Sequence, residues 1–120
     1  MAKNLRGGSA GMVHVVAAAI RTAGTAVVEQ GWTGFCVTDA ASGATYSLDC
    51  RPFVKYEITK IGAEVKGDYV YLTVADNTLS LVAAVGKKLF AKVVEAENGT
   101  IYGTPAGKTL VAIQPQAVVG

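Results

Sequence analysis

Apolar and polar positions alternate along this chain in short blocks, separated by Gly, Pro, Asn and Asp. Residues 53–60 (FVKYEITK) carry Val54, Tyr56 and Ile58 on one parity and Lys55, Glu57 and Thr59 on the other. That is the period of a strand with one buried face. Residues 13–20 (VHVVAAAI) read as a strand rather than a helix, because Val13, Val15 and Val16 are β-branched and Gly11 and the 21–25 stretch bound a short segment. Residues 26–29 lead to a turn at Gln30 and Gly31. Residues 32–39 (WTGFCVTD) are aromatic and β-branched, and 44–51 (ATYSLDCR) return after a 40–43 loop. Pairing Asp39 with Ala44 would set Cys36 opposite Ser47 and Cys50 opposite Thr33. Pro52 fits a strand start or an edge. Further on, 68–75 and 78–85 flank Asp76 and Asn77, with one short helical turn at 81–85 as the alternative. Residues 89–97 precede Asn98 and Gly99, the strongest short hairpin signal in the chain. Residues 109–113 form the last strand before Pro115. The spacing predicts an all-β fold, a small barrel or sandwich of about eight short, mostly antiparallel strands. Residues 1–11 (MAKNLRGGSAG) have no period and read as an extended N-terminal arm before a single β domain, 12–120.

Composition sharpens this picture. The 120 residues are 51% hydrophobic and only 17% charged, and 50 of them are Ala, Val or Gly. Such a chain is too apolar for disorder and lacks the periodicity of a coiled coil. It has no apolar run long enough to cross a bilayer as a helix. The start of the chain has no apolar signal region. The formal net charge of +2 gives no electrostatic case for nucleic acid or an anionic membrane as partner.

The candidate chemistry is thin. Gly103-Thr-Pro-Ala-Gly-Lys-Thr109 imitates a phosphate loop, but it has three residues between its glycines where four are needed, and a strand pattern follows instead of a helix. His14 is the single histidine and reads as a strand residue. Glu95 and Glu97 share a parity and read as a solvent face beside the Asn98–Gly99 turn. Cys36 and Cys50 read as two reduced thiols, since the expected ladder sets them ~10 Å apart and a disulfide needs Cα atoms within roughly 7 Å. No catalytic, metal or cofactor set is expected, and no enzyme. A single-strand nucleic-acid module is the alternative, with Arg51-Pro-Phe-Val-Lys-Tyr56 and Tyr69-Val-Tyr71 supplying basic and aromatic groups. Against it, Tyr56 shares the parity of Val54 and Ile58 and points to the core, whereas Tyr69 and Tyr71 face out.

The order of several segments resembles a known family. Ala23-Gly-Thr-Ala-Val-Val28 is followed by Gly34-Phe-Cys-Val-Thr-Asp-Ala-Ala-Ser-Gly-Ala-Thr45. Then come Val65-Lys-Gly-Asp-Tyr-Val-Tyr-Leu72, Phe90-Ala-Lys-Val-Val-Glu-Ala96 and Thr109-Leu-Val-Ala-Ile113. Over residues 12–113 this resembles the small cement, or capsid-decoration, proteins of tailed bacteriophages. Phe90-Ala lacks the Gly of that family's usual Gly-x-Ala, and 101–107 form an unfamiliar insert. The resemblance implies a structural protein of the virion, made in the host cytoplasm and bound to the outer capsid surface. It implies a homotrimer that bridges copies of the major capsid protein, with no catalytic residue. On this view the arm is a strap reaching ~35 Å, with Lys3, Leu5 and Arg6 meeting the capsid. Trp32 and Phe53, aromatics at strand ends, become candidate interface anchors, with ordinary core packing as the competing reading of both. Another virion β-domain, at the head–tail junction or tail surface, is a further alternative.

Overall fold

The computed structural model describes residues 11–115. Among them are nine strands and no helix: β1 (Met12–Val16), β2 (Ala26–Glu29), β3 (Trp32–Cys36), β4 (Thr45–Asp49), β5 (Lys55–Thr59), β6 (Tyr69–Thr73), β7 (Leu79–Ser80), β8 (Lys87–Glu95) and β9 (Lys108–Ile113). The fold is all-β. The strands form two antiparallel sheets, ordered β1-β4-β3-β2 and β5-β9-β8-β6-β7.

The β2–β3 hairpin shows how local sequence sets this architecture. Gln30 and Gly31 have φ of 49° and 85°. Two central residues at positive φ make the turn whose twist matches paired strands. Glu29 and Trp32 then close the ladder.

The four-stranded sheet curls into a half-barrel. Its edge strands are joined across the opening by side chains. The Gln30 side-chain oxygen accepts the Val16 N–H at 3.0 Å, and the Glu29 carboxylate accepts the Ala18 N–H at 3.3 Å. The core inside comes entirely from this sheet and its loops: Val15, Ala17, Val27, Cys36, Tyr46 and Leu48 are its main members.

The five-stranded sheet is one-sided. Ile58, Val70, Leu72, Phe90, Val111 and Ile113 point to a second core, and the residues between them face outward. Phe35 joins the two sheets. It belongs to β3, yet it is fully buried in the second core. Its ring stacks on Tyr56 at 4.0 Å between centroids and leans on Phe90 at 5.0 Å. Two polar ties support it. The Tyr56 hydroxyl donates to Asp49 at 2.7 Å, and the Val28 N–H donates to the Asn77 side-chain oxygen at 2.9 Å.

Several expectations need correction. The β3–β4 register differs by one residue: Cys36 faces Leu48, and Phe35 faces Asp49. The 40–43 stretch is not a tight hairpin, because Ala40 pairs with Arg21 and the Gly43 N–H donates to the Ala17 carbonyl. The long loop thus releases β3 and β4 to slide together, and Gly34 permits the fit: a Cβ there would lie 2.5 Å from the Asp49 carbonyl oxygen. Both cysteines are nevertheless free and buried.

The strand expected over 78–85 is only two residues long, and Val85 stands fully exposed. Asn98 and Gly99 do not close a hairpin. β8 pairs with β9 across a connection from 96 to 107. The reason is Glu95, which is buried rather than solvent-facing. Its carboxylate accepts the N–H groups of Ile101, Tyr102 and Thr104 at 2.9–3.0 Å and the Thr104 hydroxyl at 2.6 Å. It winds the chain around itself, and Gly99 sits directly against it.

Candidate functional site

The sequence-derived site residues divide into two groups. Lys3, Leu5 and Arg6 lie outside the described residues. Trp32 and Phe53 are both at the surface, 43% and 64% exposed, so neither is an ordinary core residue.

Trp32 opens β3 after the turn whose Glu29 and Gln30 side chains reach Ala18 and Val16 at the end of β1, whereas Phe53 follows the end of β4. β1 begins at the same end, with Met12 opposite Asp49, and the Gly11 carbonyl accepts the Cys50 N–H at 2.8 Å. The end of β9 arrives there too, since the Phe53 N–H donates to the Ile113 carbonyl at 2.6 Å. Gly11, the first described residue, therefore packs against Arg51, two residues from Phe53.

Phe53 has an unusual backbone. Its φ is 68°, a region that a bulky side chain occupies only as a genuine outlier. The conformation is imposed from beneath. Asp49, fully buried, accepts three hydrogen bonds from Arg51: the backbone N–H at 3.1 Å, Nε at 2.8 Å and Nη2 at 2.7 Å. It takes a fourth from the Tyr56 hydroxyl. Burial raises the Asp49 carboxyl, but the hydrogen bonds from Arg51 and Tyr56 outweigh it and hold the group below its ordinary value. Burial, and then the bond to Asp49, push the Tyr56 hydroxyl up to about 12. The charged clamp fixes both sides of the 51–54 turn and leaves Phe53 pointing away from either core.

The outer face of the five-stranded sheet carries a second organised surface. Lys55 of β5 lies opposite Ala112 of β9, Ala112 opposite Lys92 of β8, and Lys92 opposite Tyr69 of β6. Residues directly opposite share a face, so these four form one row across four strands. The Lys92 ammonium rests over the Tyr69 ring, 5.0 Å from its centroid. At the other end, Lys55 lies 5.6 Å from the ring centroid of Tyr102. Tyr102 reaches this position because the Glu95 carboxylate anchors its loop to the same face. Bonds from the Thr104 hydroxyl, set against burial, and from the Tyr102, Thr104 and Ile101 N–H groups hold Glu95 down at about 2. It therefore keeps the loop closed at neutral pH.

The remaining polar clusters are structural. Glu29 takes Arg21 Nε at 2.8 Å and the Tyr46 hydroxyl at 2.9 Å, closing the half-barrel. Burial raises the Glu29 carboxyl, and the bonds from Arg21 and Tyr46 more than reverse it. Glu64 pins its turn to β9 through the Ile61 and Gly62 N–H groups and the Thr109 hydroxyl. Burial pushes the Cys36 thiol up, and the Cys50 thiol to about 11. Such thiols are inert structural groups rather than nucleophiles. His14 sits on β1 with Nδ1 3.1 Å from the Ser47 hydroxyl. Lys108 and Thr109, the end of the phosphate-loop imitation, begin β9 and not a helix. No group of three or more His, Cys, Asp or Glu among the described residues is placed to hold a metal ion. A cleft of about 560 Å³ between the sheets is floored by Phe35 and lined by Ala26, Ile58, Leu79, Lys60 and Lys108.

Of the aromatics singled out in the sequence, Trp32, Phe53 and Tyr69 are exposed in the structure. Sequence reasoning missed the Lys55–Ala112–Lys92–Tyr69 row, which needs three strand registers, and the role of Glu95. A buried carboxylate beside a Gly-rich stretch was the one available signal for the latter. No family model, curated protein or solved structure matches this chain.

Proposed function

We propose that this chain is a capsid cement protein, a non-enzymatic virion component that binds the outer capsid surface as a homotrimer and bridges neighbouring major capsid proteins. The observation that carries the reading is Phe53. A bulky aromatic held at positive φ costs on the order of 1–3 kcal/mol, and here it leaves the ring in water. Strain kept at an exposed aromatic makes sense when a partner covers it, since aromatic anchors dominate interface energetics. Gly11 lies against Arg51 of the same turn, and Trp32 is a second exposed aromatic for a partner to cover.

Two further features support the reading. Thirteen large hydrophobic side chains are exposed among the described residues, including Ile20, Val82, Val85 and Ile101, which leaves apolar groups for a partner to cover. The segments of the family resemblance fall on coherent elements: the β3–β4 unit, the start of β6, and β8 and β9. The nucleic-acid alternative loses part of its support, because Tyr56 stacks inside on Phe35 and Arg51 is tied to Asp49.

The test is to mix the purified chain with undecorated phage shells and image the particles. Copies on the outer surface in a symmetric, trimeric arrangement are expected. Deleting residues 2–10 should lower occupancy while the domain remains folded. Failure of the intact chain to associate with shells would remove the proposal.

A further inference from the structure

The Lys55–Ala112–Lys92–Tyr69 row lies outside both buried core clusters. It lies on the face opposite the core. Neither lysine has a carboxylate partner among the described residues, and residues 1–10 and 116–120 contain no Asp or Glu. Both ammonium groups are therefore available to a carboxylate of another molecule.

We infer that this row is a docking strip for an extended, carboxylate-bearing segment of a partner protein; that the partner is a capsid subunit rests on the proposed function. The geometry sets the shape of the ligand. Lys55 and Lys92 stand on strands two apart, a backbone separation of ~10 Å. Each ammonium is drawn outward over a tyrosine ring, Tyr102 at one end and Tyr69 at the other. One compact anion would meet one cation, whereas two carboxylates on an extended segment meet both. Between the lysines Ala112 offers only a methyl group, so a peptide backbone can approach the sheet closely. The tyrosines wall the strip at its two ends and shield the ion pairs from water, where surface pairs are otherwise weak.

A single strand of nucleic acid fits less well. It carries a charge at every nucleotide and would have to track along the face. Glu57, exposed on the same side of β5 two residues from Lys55, interrupts that path with a negative charge. A peptide with spaced carboxylates avoids it.

The experiment uses the full chain labelled for NMR, titrated separately with a synthetic peptide of alternating Glu and Ala and with oligodeoxythymidylate. The expected result is that the peptide shifts the amide signals of Lys55, Ala112, Lys92 and Tyr69. The double substitution Lys55→Gln with Lys92→Gln should weaken binding by on the order of tenfold at low salt. Charge reversal at both positions should weaken it further, and Lys66→Glu, in the exposed β5–β6 connection, should not. Thermal unfolding of each variant confirms that it is folded. No shift at the row, or shifts there with the oligonucleotide and none with the peptide, would overturn the inference. Shell binding separates it from the reading it rests on. Peptide binding at the row without shell binding keeps the strip and removes the cement function. Shell binding unaffected by charge reversal, with no peptide binding, keeps the cement function and removes the strip.

Discussion

Phe53→Asn separates a presented aromatic from a core aromatic. Asn accepts positive φ far more readily than Phe, so the substitution relieves backbone strain of about 1 kcal/mol or somewhat more. Against this, Phe53 is 64% exposed, and covering the remaining third of a ring that yields roughly 1.5–3 kcal/mol when fully buried contributes about 0.5–1 kcal/mol. The two effects nearly cancel. The free domain should melt within about 4 °C of the wild type. Phe35→Ala provides the contrast. It empties a fully buried site between Tyr56 and Phe90, which costs about 3–5 kcal/mol and should lower the midpoint by about 12–20 °C. Calorimetry of both variants, with shell occupancy measured alongside, makes the comparison. Phe53→Asn should leave the free protein intact and reduce shell binding, whereas Phe35→Ala should damage the domain itself. A loss of stability from Phe53→Asn comparable to that from Phe35→Ala would refute the reasoning, because Phe53 would then be packing in a core.

Acid should unfold the protein through its buried carboxylates. Glu29, Asp49 and Glu64 lie below their ordinary values and Glu95 at about 2. A lowered folded value means stability that is complete above the unfolded value and lost as pH falls through the folded one. The urea midpoint should therefore hold near pH 6 and decline from about pH 4.5 towards about pH 2; a flat profile over that window would count against the clamps. Gly99→Ala should loosen the 96–107 connection, because the new Cβ overlaps the Glu95 side chain. Hydrogen exchange at Ile101, Tyr102 and Thr104 should accelerate in that variant, and unchanged protection there would contradict the account. Gly34→Ala should cost about 1–3 kcal/mol by overpacking against the Asp49 carbonyl, read as a lower urea midpoint. Cys36 and Cys50 should react slowly with a thiol reagent in the native state and rapidly in denaturant; equal rates would show the thiols to be accessible.

The periodic strands were legible because their chemistry is local. β5 alternates cleanly, and its inward Tyr56 and Ile58 and outward Lys55 and Glu57 are where parity puts them. The Gln30–Gly31 turn was legible for the same reason. What escaped prediction depends on partners distant in sequence. The 37–44 stretch reads as a short hairpin until Ala17 and Arg21 arrive to pair with it. Asn98 and Gly99 carry the composition of a tight turn, but four hydrogen bonds to Glu95 outweigh that preference and wind a longer connection. Phe53 shows a limit of another kind. Its neighbours Val54 and Tyr56 are inward, and no pattern distinguishes a strained outward ring from a buried one; only the Asp49–Arg51 clamp decides it.

The same clamps revise what the net charge means. A formal +2 in a chain with nine acidic residues suggests a nearly neutral surface. Yet four of those acids, Glu29, Asp49, Glu64 and Glu95, are buried. Glu64 and Glu95 take backbone N–H groups and threonine hydroxyls rather than a cation. Their negative charge is spent inside on fixing turns, while seven lysines remain at or near the surface of the described residues, only Lys60 of them in an ion pair. The exposed charge of the described residues is therefore more basic than the composition implies. A chain with few charges thus uses four of its acids as internal fasteners and leaves its described lysines at or near the surface.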